Sequence, residues 1–498
     1  MKDNMLKHTG WLVLLVLVGL LALHHLPWDS WRGHALRRVD ILSDLRLPQE
    51  PAGTEEDASI SSPHLADALS PDDADVPQPA TEEHALSPTD TTLQAAAGDT
   101  SLPVEIPVLA DTCREGLACI EDYGDTTMQG MKPFYEALCE LEQHGDRTVR
   151  IAYFGDSFIE ADILTADLRA LLQEHFGGCG VGFVPITSQT YGYRRTVRHN
   201  FDGWHSHAVT DTVYFDRFKQ GISGHYFVPT DGAYLQLRGQ NKYASRLDTC
   251  RRASLLFYAA DSLTLTARVN QGRVQRRSFP PSARLNEMTV EGAIGAVRWT
   301  VEEADTALFY GALMDGDSGI ALDNFALRGS SGLSLRYIPD KMLRDFNRLR
   351  PYDLIVLQYG LNVATRRGVN YDRYAAGMRQ TIQHLKTNFP QAGILIVGVG
   401  DRDYKAEDGT MRTMPGIRNL IRYQQTLAVT EGVAFWNLYE AMGGEGSMVK
   451  LVKANPPMAN LDYTHINYRG GKHIAGLLFE TLLYGKEQYE RRRGYGME

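Results

Sequence analysis

Residues 149–162 read VRIAYFGDSFIEAD. Val149 to Phe154 form a short apolar run that suits a strand buried within a sheet. The run stops at Gly155, Asp156 and Ser157, and the residues that follow suit a helix. A strand that ends in this way has two readings. Ser157 caps the next helix, or it is held at the strand end to do chemistry. Taken alone, the triplet reads as a cap.

The surroundings decide the fold class. MKPFYEALCELEQHG (131–145) and ADILTADLRALLQEHFG (161–177) carry apolar residues at helical spacing, and Gly177 is placed to end the second helix. Beyond residue 330 strand and helix alternate again. YDLIVLQYG (352–360), GILIVGVG (393–400) and VAFWNL (433–438) read as strands. Helical segments lie between them, and HINYRGGKHIAGLLFETLLYG (465–485) closes the chain. This alternation predicts a parallel sheet covered by helices on both faces. Residues 199–325 have a different texture. Short alternating runs rich in Val, Thr, Tyr and Phe are separated by Gly, Asp and Asn, which predicts an inserted antiparallel β-sandwich. The expected α/β domain is therefore divided into 116–198 and 326–498.

The N-terminal part reads differently. Trp11 to Leu23 is an uninterrupted apolar run after Lys2 and Lys7. It is short for a spanning helix, and no small-residue cleavage site follows, so residues 1–38 read as an uncleaved signal anchor before a cleaved signal. Residues 39–115 are acidic and rich in Pro, Ala, Ser and Thr. They read as a disordered linker that holds the body away from a membrane. The formal net charge is −10, so the chain lacks the basic balance of a general nucleic-acid binder. None of the five cysteines forms a C-x-x-C pair, and Cys113 and Cys119 are close enough for a disulfide in an oxidising compartment.

Ligands of parallel α/β sheets bind beyond the carboxyl ends of the strands. Three polar groups fall there: Ser157, the Gly360–Asn362 segment, and Asp462 with His465. A serine needs a base to take its proton, and the base needs a partner that fixes its tautomer. His465 and Asp462 supply those two roles on one turn. Backbone N–H groups and the Asn362 amide are candidate donors to an oxyanion. Each residue also has a structural reading: Asn362 as a loop residue, Asp462 as a cap of the last helix. Their order along the chain favours chemistry.

GDSF (155–158), GLN (360–362) and DYTH (462–465) resemble blocks I, III and V of the SGNH (GDSL) hydrolases, and LDNFALRGSSG (322–332) resembles block II at Gly329. The resemblance covers about half the chain and implies a three-layer, flavodoxin-like SGNH-hydrolase sheet. It implies Ser157 as nucleophile, His465 as base and Asp462 as its partner. It also implies an oxyanion hole of Ser157, Gly329 and Asn362, with Gly332 a weaker choice than Gly329. No metal or organic cofactor is implied. Many members have Asp after the block III Asn, whereas this chain has Val363, which leaves open what orients Asn362. The insert resembles that of bacterial peptidoglycan O-acetylesterases, where it looks like a carbohydrate-binding module. Tyr191, Tyr193 and Trp204 are then candidates to stack on sugar rings, and Arg194, Arg195 and Arg198 to face an anionic glycan. Core packing and a solvated turn are the alternatives.

The implied function is an exported, membrane-anchored esterase in a bacterial periplasm or cell envelope. It would remove O-acetyl groups from an acylated polysaccharide, with peptidoglycan foremost. An O-acetyltransferase on the same scaffold and a glycan-binding protein with a vestigial site are the alternatives.

Overall fold

The computed structural model describes residues 113–124, 130–211, 215–304 and 306–495. The N-terminal apolar run and nearly all of the acidic segment lie outside them. Among the described residues no helix is long and apolar enough to cross a membrane.

The described chain opens with Cys113 bonded to Cys119, β1 (Ile120–Asp122), α1 (Lys132–His144) and β2 (Thr148–Gly155). Then come α2 (Thr165–Phe176) and β3 (Gly182–Val184). An antiparallel stretch follows: β4 (Val197–Ala208), β5 (His225–Gly239), β6 (Cys250–Ala259) and β7 (Leu263–Val269). It continues with β8 (Val274–Phe279), β9 (Ser282–Ile294), β10 (Ala296–Ala304) and β11 (Ala307–Asp315). The second α/β part holds β12 (Gly319–Ala326), α3 (Asp340–Leu349), β13 (Leu354–Gln358), α4 (Asp372–Asn388) and β14 (Gly393–Val397). A small hairpin of β15 (Asp403–Lys405) and β16 (Met411–Thr413) precedes α5 (Gly416–Glu431) and β17 (Ala434–Trp436). Short helices α6 (Leu438–Ala441) and α7 (Ser447–Lys453) and the long α8 (Tyr468–Tyr495) complete it.

The main sheet has the order β1-β17-β14-β13-β2-β12. All its pairs are parallel except β1 with β17. Taken in chain order, the parallel strands run 2-1-3-4-5, the flavodoxin-like arrangement with its topological switch point between the first and third. Here that point lies between β2 and β13. The residues of β13 and β14 are buried throughout, as expected for strands covered on both faces. At the carboxyl end of β2, Gly155 stands between Ala326 of β12 and Gln358 of β13. A Cβ at Gly155 would lie 3.1 Å from the Gln358 carbonyl oxygen, so this close approach suits glycine.

The antiparallel strands form a β-rich body apart from the parallel sheet. Hydrogen bonding joins them in one nine-stranded sheet. The physical reason is the length of β5: Phe227 pairs with β11, while Tyr234–Arg238 pair with β10. One strand thus links both halves, which share a core around Leu235, Phe257, Trp299 and Phe309. The sheet also reaches back to β3, which pairs with β11. Conversely, β12 lies in the parallel sheet although it falls within residues 199–325. Its side chains are buried from Gly319 to Phe325 without alternation, which fits a strand covered on both faces.

Candidate active site

Ser157 is not a helix cap. After Gly155 the chain makes a 3-10 turn at Glu160–Asp162, in which Ala161 and Asp162 have φ of 53° and 62°. These left-handed residues stop a helix from starting there, and α2 begins only at Thr165 without a side-chain cap. The buried Ser157 hydroxyl instead lies 2.9 Å from His465 Nε2. His465 Nδ1 lies 2.7 Å from Asp462 Oδ2. A carboxylate only accepts, so Nδ1 carries the proton and Nε2 is left as the acceptor for the serine hydroxyl.

The tight turn that presents the pair is held by Asp462 itself. Its Oδ1 accepts the N–H groups of Thr464 and His465, each at 3.0 Å, and Tyr463 takes a φ of 54°. Partial burial works against the Asp462 charge. The His465 N–H and ring, with the Thr464 N–H, outweigh it and hold the carboxyl below its ordinary range. The last helix is capped by Asn467, whose Oδ1 accepts from Arg469 N at 2.9 Å, so Asp462 is free of that duty. The turn also rests on the hairpin loop, where Asp403 N donates to Tyr463 O at 3.0 Å.

Asn362 follows β13 and reaches across the end of β2. Its Nδ2 donates to Asp156 Oδ2 at 3.1 Å and to Ser330 O at 3.0 Å. Asp156 also accepts Phe158 N at 2.9 Å. Val363 follows Asn362, and the amide is oriented by Asp156 and the Ser330 carbonyl. Sequence reading left Asp156 without a role; an ionisable residue just after the apolar run 151–154 was the available signal. Burial pushes its carboxyl up to about 7, against the Phe158 N–H, His465 and Asn362. Gly329 sits in the turn after β12 with φ of 75°. That turn is tied to the end of β2 by Leu327 N donating to Gly155 O at 2.9 Å.

A buried polar knot fixes the segment behind the serine. Asp162 accepts from Arg169 at 3.2 Å, Arg194 at 2.9 Å, Thr196 at 2.7 Å, Thr165 at 2.8 Å and Asn324 at 2.9 Å. Burial opposes its charge, but the two guanidinium groups prevail and hold the carboxyl far below its ordinary range. Arg194 therefore pairs with Asp162. The Arg195 guanidinium lies 3.7 Å from the Tyr468 ring centroid, and exposed Arg198 stands opposite Arg238 in the β4–β5 ladder. Trp204 belongs to the insert: its Nε1 donates to Tyr234 O at 2.8 Å, and its ring packs 5.0 Å from Phe309. Tyr191 and Tyr193 remain exposed.

No family model matches the chain, and no curated protein matches it. Solved structures do. One described as "Peptidoglycan O-acetylesterase in action" superposes with a TM-score of 0.61 at 22% identity, spanning 74% of this chain and 99% of that one. A family two carbohydrate esterase from Clostridium thermocellum with cellohexaose gives 0.24 at 12%, over 56% and 97%. A GDSL-like lipase from Parabacteroides merdae gives 0.25 at 16%, over 33% and 73%. The last two overlap too little in space to bear on the site. The likeness is one of fold, an α/β body whose parallel strands run 2-1-3-4-5. The chain is similar in fold to the peptidoglycan O-acetylesterase along nearly that protein's whole length.

Proposed function

We propose that the chain is an exported serine esterase that removes O-acetyl groups from an envelope glycan, peptidoglycan foremost. The observation that carries this reading is the hydrogen-bonded series Ser157–His465–Asp462, at 2.9 and 2.7 Å, at the switch point of the sheet.

In this mechanism the Ser157 Oγ attacks the acetyl carbonyl carbon while its proton passes to His465 Nε2. Asp462 stabilises the imidazolium that forms. The backbone N–H groups of Ser157 and Gly329 and the Asn362 amide receive the oxyanion. Both hydrogens of that amide are already engaged, so the oxyanion takes one over from Asp156 or Ser330, and Asp156 acts as a positioning residue. The tetrahedral intermediate collapses, and His465 protonates the departing sugar oxygen. The same base then activates water, which releases acetate and restores Ser157. Its ring is partly exposed, so water has access.

Export is supported by the N-terminal apolar run and by the Cys113–Cys119 disulfide, which persists in an oxidising compartment. In this reading residues 1–38 anchor the chain and the antiparallel insert is a carbohydrate-binding-like module. The test is acetate release from O-acetylated peptidoglycan by the wild type and by Ser157→Ala. Equal release by both proteins would sink the reading. An added oligosaccharide acceptor separates hydrolysis from acetyl transfer.

A further inference from the structure

A cavity of about 430 Å³ lies where the insert meets the strand end that carries the serine. Its wall includes Glu160 and Leu327 from the α/β body and Tyr191, His199, Ser223 and His225 from the segment beyond β3. The volume is that of a small-ligand site. It begins one turn from the nucleophile, since Glu160 N donates to Ser157 O at 3.4 Å. Ser157, Asn362 and His465 are not among the residues that line it.

The lining is mixed polar and apolar, and nearly neutral. Glu160 is paired with Arg328 at 2.5 Å, and Asp162 is consumed by Arg169 and Arg194. Among the described residues, Asp211 is the remaining carboxylate of the lining. It disfavours an anionic guest. His199 Nε2 donates to Ile186 O at 3.0 Å and His225 Nδ1 donates to Ser223 O at 2.9 Å. Each imidazole therefore keeps its other nitrogen as an acceptor. Burial keeps both rings uncharged, lowering His199 to about 4 and His225 below its ordinary value. Ser223 is 7% exposed, and its hydroxyl is buried with no hydrogen-bond partner among the described residues. A buried orphan hydroxyl is costly unless something binds it. Tyr191 is 49% exposed and adds a ring surface at the wall.

Neutral acceptors, an orphan hydroxyl and an aromatic surface are the partners that a pyranose ring needs. We infer that this cavity is a saccharide subsite, which takes a neutral sugar unit next to the one whose O-acetyl group meets Ser157. The inference rests on the esterase reading for its place in catalysis, but binding is measurable without turnover.

The experiment uses full-length Ser157→Ala protein, alone and with Tyr191→Ala or Ser223→Val added. Each is titrated calorimetrically with the N-acetylglucosamine tetramer and with xylotetraose. At least one tetramer is expected to bind, and each added substitution to weaken it roughly five- to tenfold, the loss of about one hydrogen bond or stacking contact. Binding of neither tetramer, or binding unchanged by both substitutions, overturns the subsite. Tyr191 is exposed, so its variant keeps the test valid if Ser223→Val fails to fold. In parallel, the ratio of kcat/KM for an O-acetylated tetrasaccharide to that for p-nitrophenyl acetate should fall by a similar factor in Tyr191→Ala; an unchanged ratio counts against the subsite. Failure of the esterase reading has a different signature, which is equal acetate release by wild type and Ser157→Ala.

Discussion

Asp156 and Asn362, 206 residues apart in the chain, meet through a 3.1 Å hydrogen bond from the amide to a buried carboxyl. The residue beside Ser157 thereby holds an expected oxyanion donor. Asp156→Asn retains the shape but adds a donor where the carboxyl accepts from both Phe158 N and Asn362. With a short acyl ester, kcat is expected to fall roughly 10- to 100-fold with little change in KM, less than the loss of a whole oxyanion donor. A kcat within twofold of wild type would remove the positioning role.

The same carboxyl sets a pH dependence of stability. Its ordinary value is 3.8 and burial raises it to about 7 in the folded state. The folded state then holds the proton more tightly than the unfolded one. The stability this confers is fully present below pH ~4 and is lost as pH rises towards 7, by at most about 4 kcal/mol. Relative to wild type, Asp156→Asn should gain more melting temperature at pH 8 than at pH 5. Parallel shifts at both pH values would contradict this.

The Asp162 knot acts in the opposite direction. Its folded carboxyl is depressed, so its contribution is present above pH ~4 and is lost as pH falls further. Asp162→Asn leaves Arg169 and Arg194 buried beside an uncharged amide. Chemical denaturation at pH 7 should show a loss of about 3–5 kcal/mol, as for other broken buried pairs. A loss under ~1 kcal/mol would show that the knot relaxes or hydrates.

Asp462→Asn tests the orientation of the base. An amide in place of the carboxylate favours the wrong imidazole tautomer, and kcat is expected to fall by about 10⁴-fold. Fluorophosphonate labelling of Ser157 should slow in step. Normal labelling with lost turnover would detach Asp462 from activation of the serine.

Gly329 and Gly332 separate by what a methyl group does at each. Both have left-handed φ, 75° and 87°. A Cβ at Gly332 would lie 2.7 Å from the Tyr359 ring, so Gly332→Ala should lower the melting temperature first. Gly329→Ala should cost about 1–2 kcal/mol of backbone strain. It should also lower kcat with the short ester if its N–H serves the oxyanion. Loss of stability alone at Gly329 would remove it from that role.

Much of this was legible in the sequence. Apolar runs of strand length between amphipathic helices identify a parallel sheet, because burial on both faces leaves no polar alternation. The four motifs, in order, identify the SGNH-type fold. Other features were not legible. The pairing of the strands within 199–325 was not legible, because pairing over a long β5 depends on which neighbours it meets in space, not on its own periodicity. Arg194 read as part of a glycan-facing or solvated turn because charge patterning cannot reveal Asp162 beneath it.

The sequence by itself determined the strand ends, the residue types beyond them and the class of sheet, since these follow from local burial patterns and short motifs. Only the tertiary structure decided what Ser157 meets there. Two left-handed residues delay the helix, so the serine is no cap, and chain folding brings His465 within 2.9 Å across 308 residues. It also gave Asp156 to Asn362 and enclosed the cavity that begins at Glu160. Those relationships join segments far apart in the chain, and no local propensity encodes a distance between them.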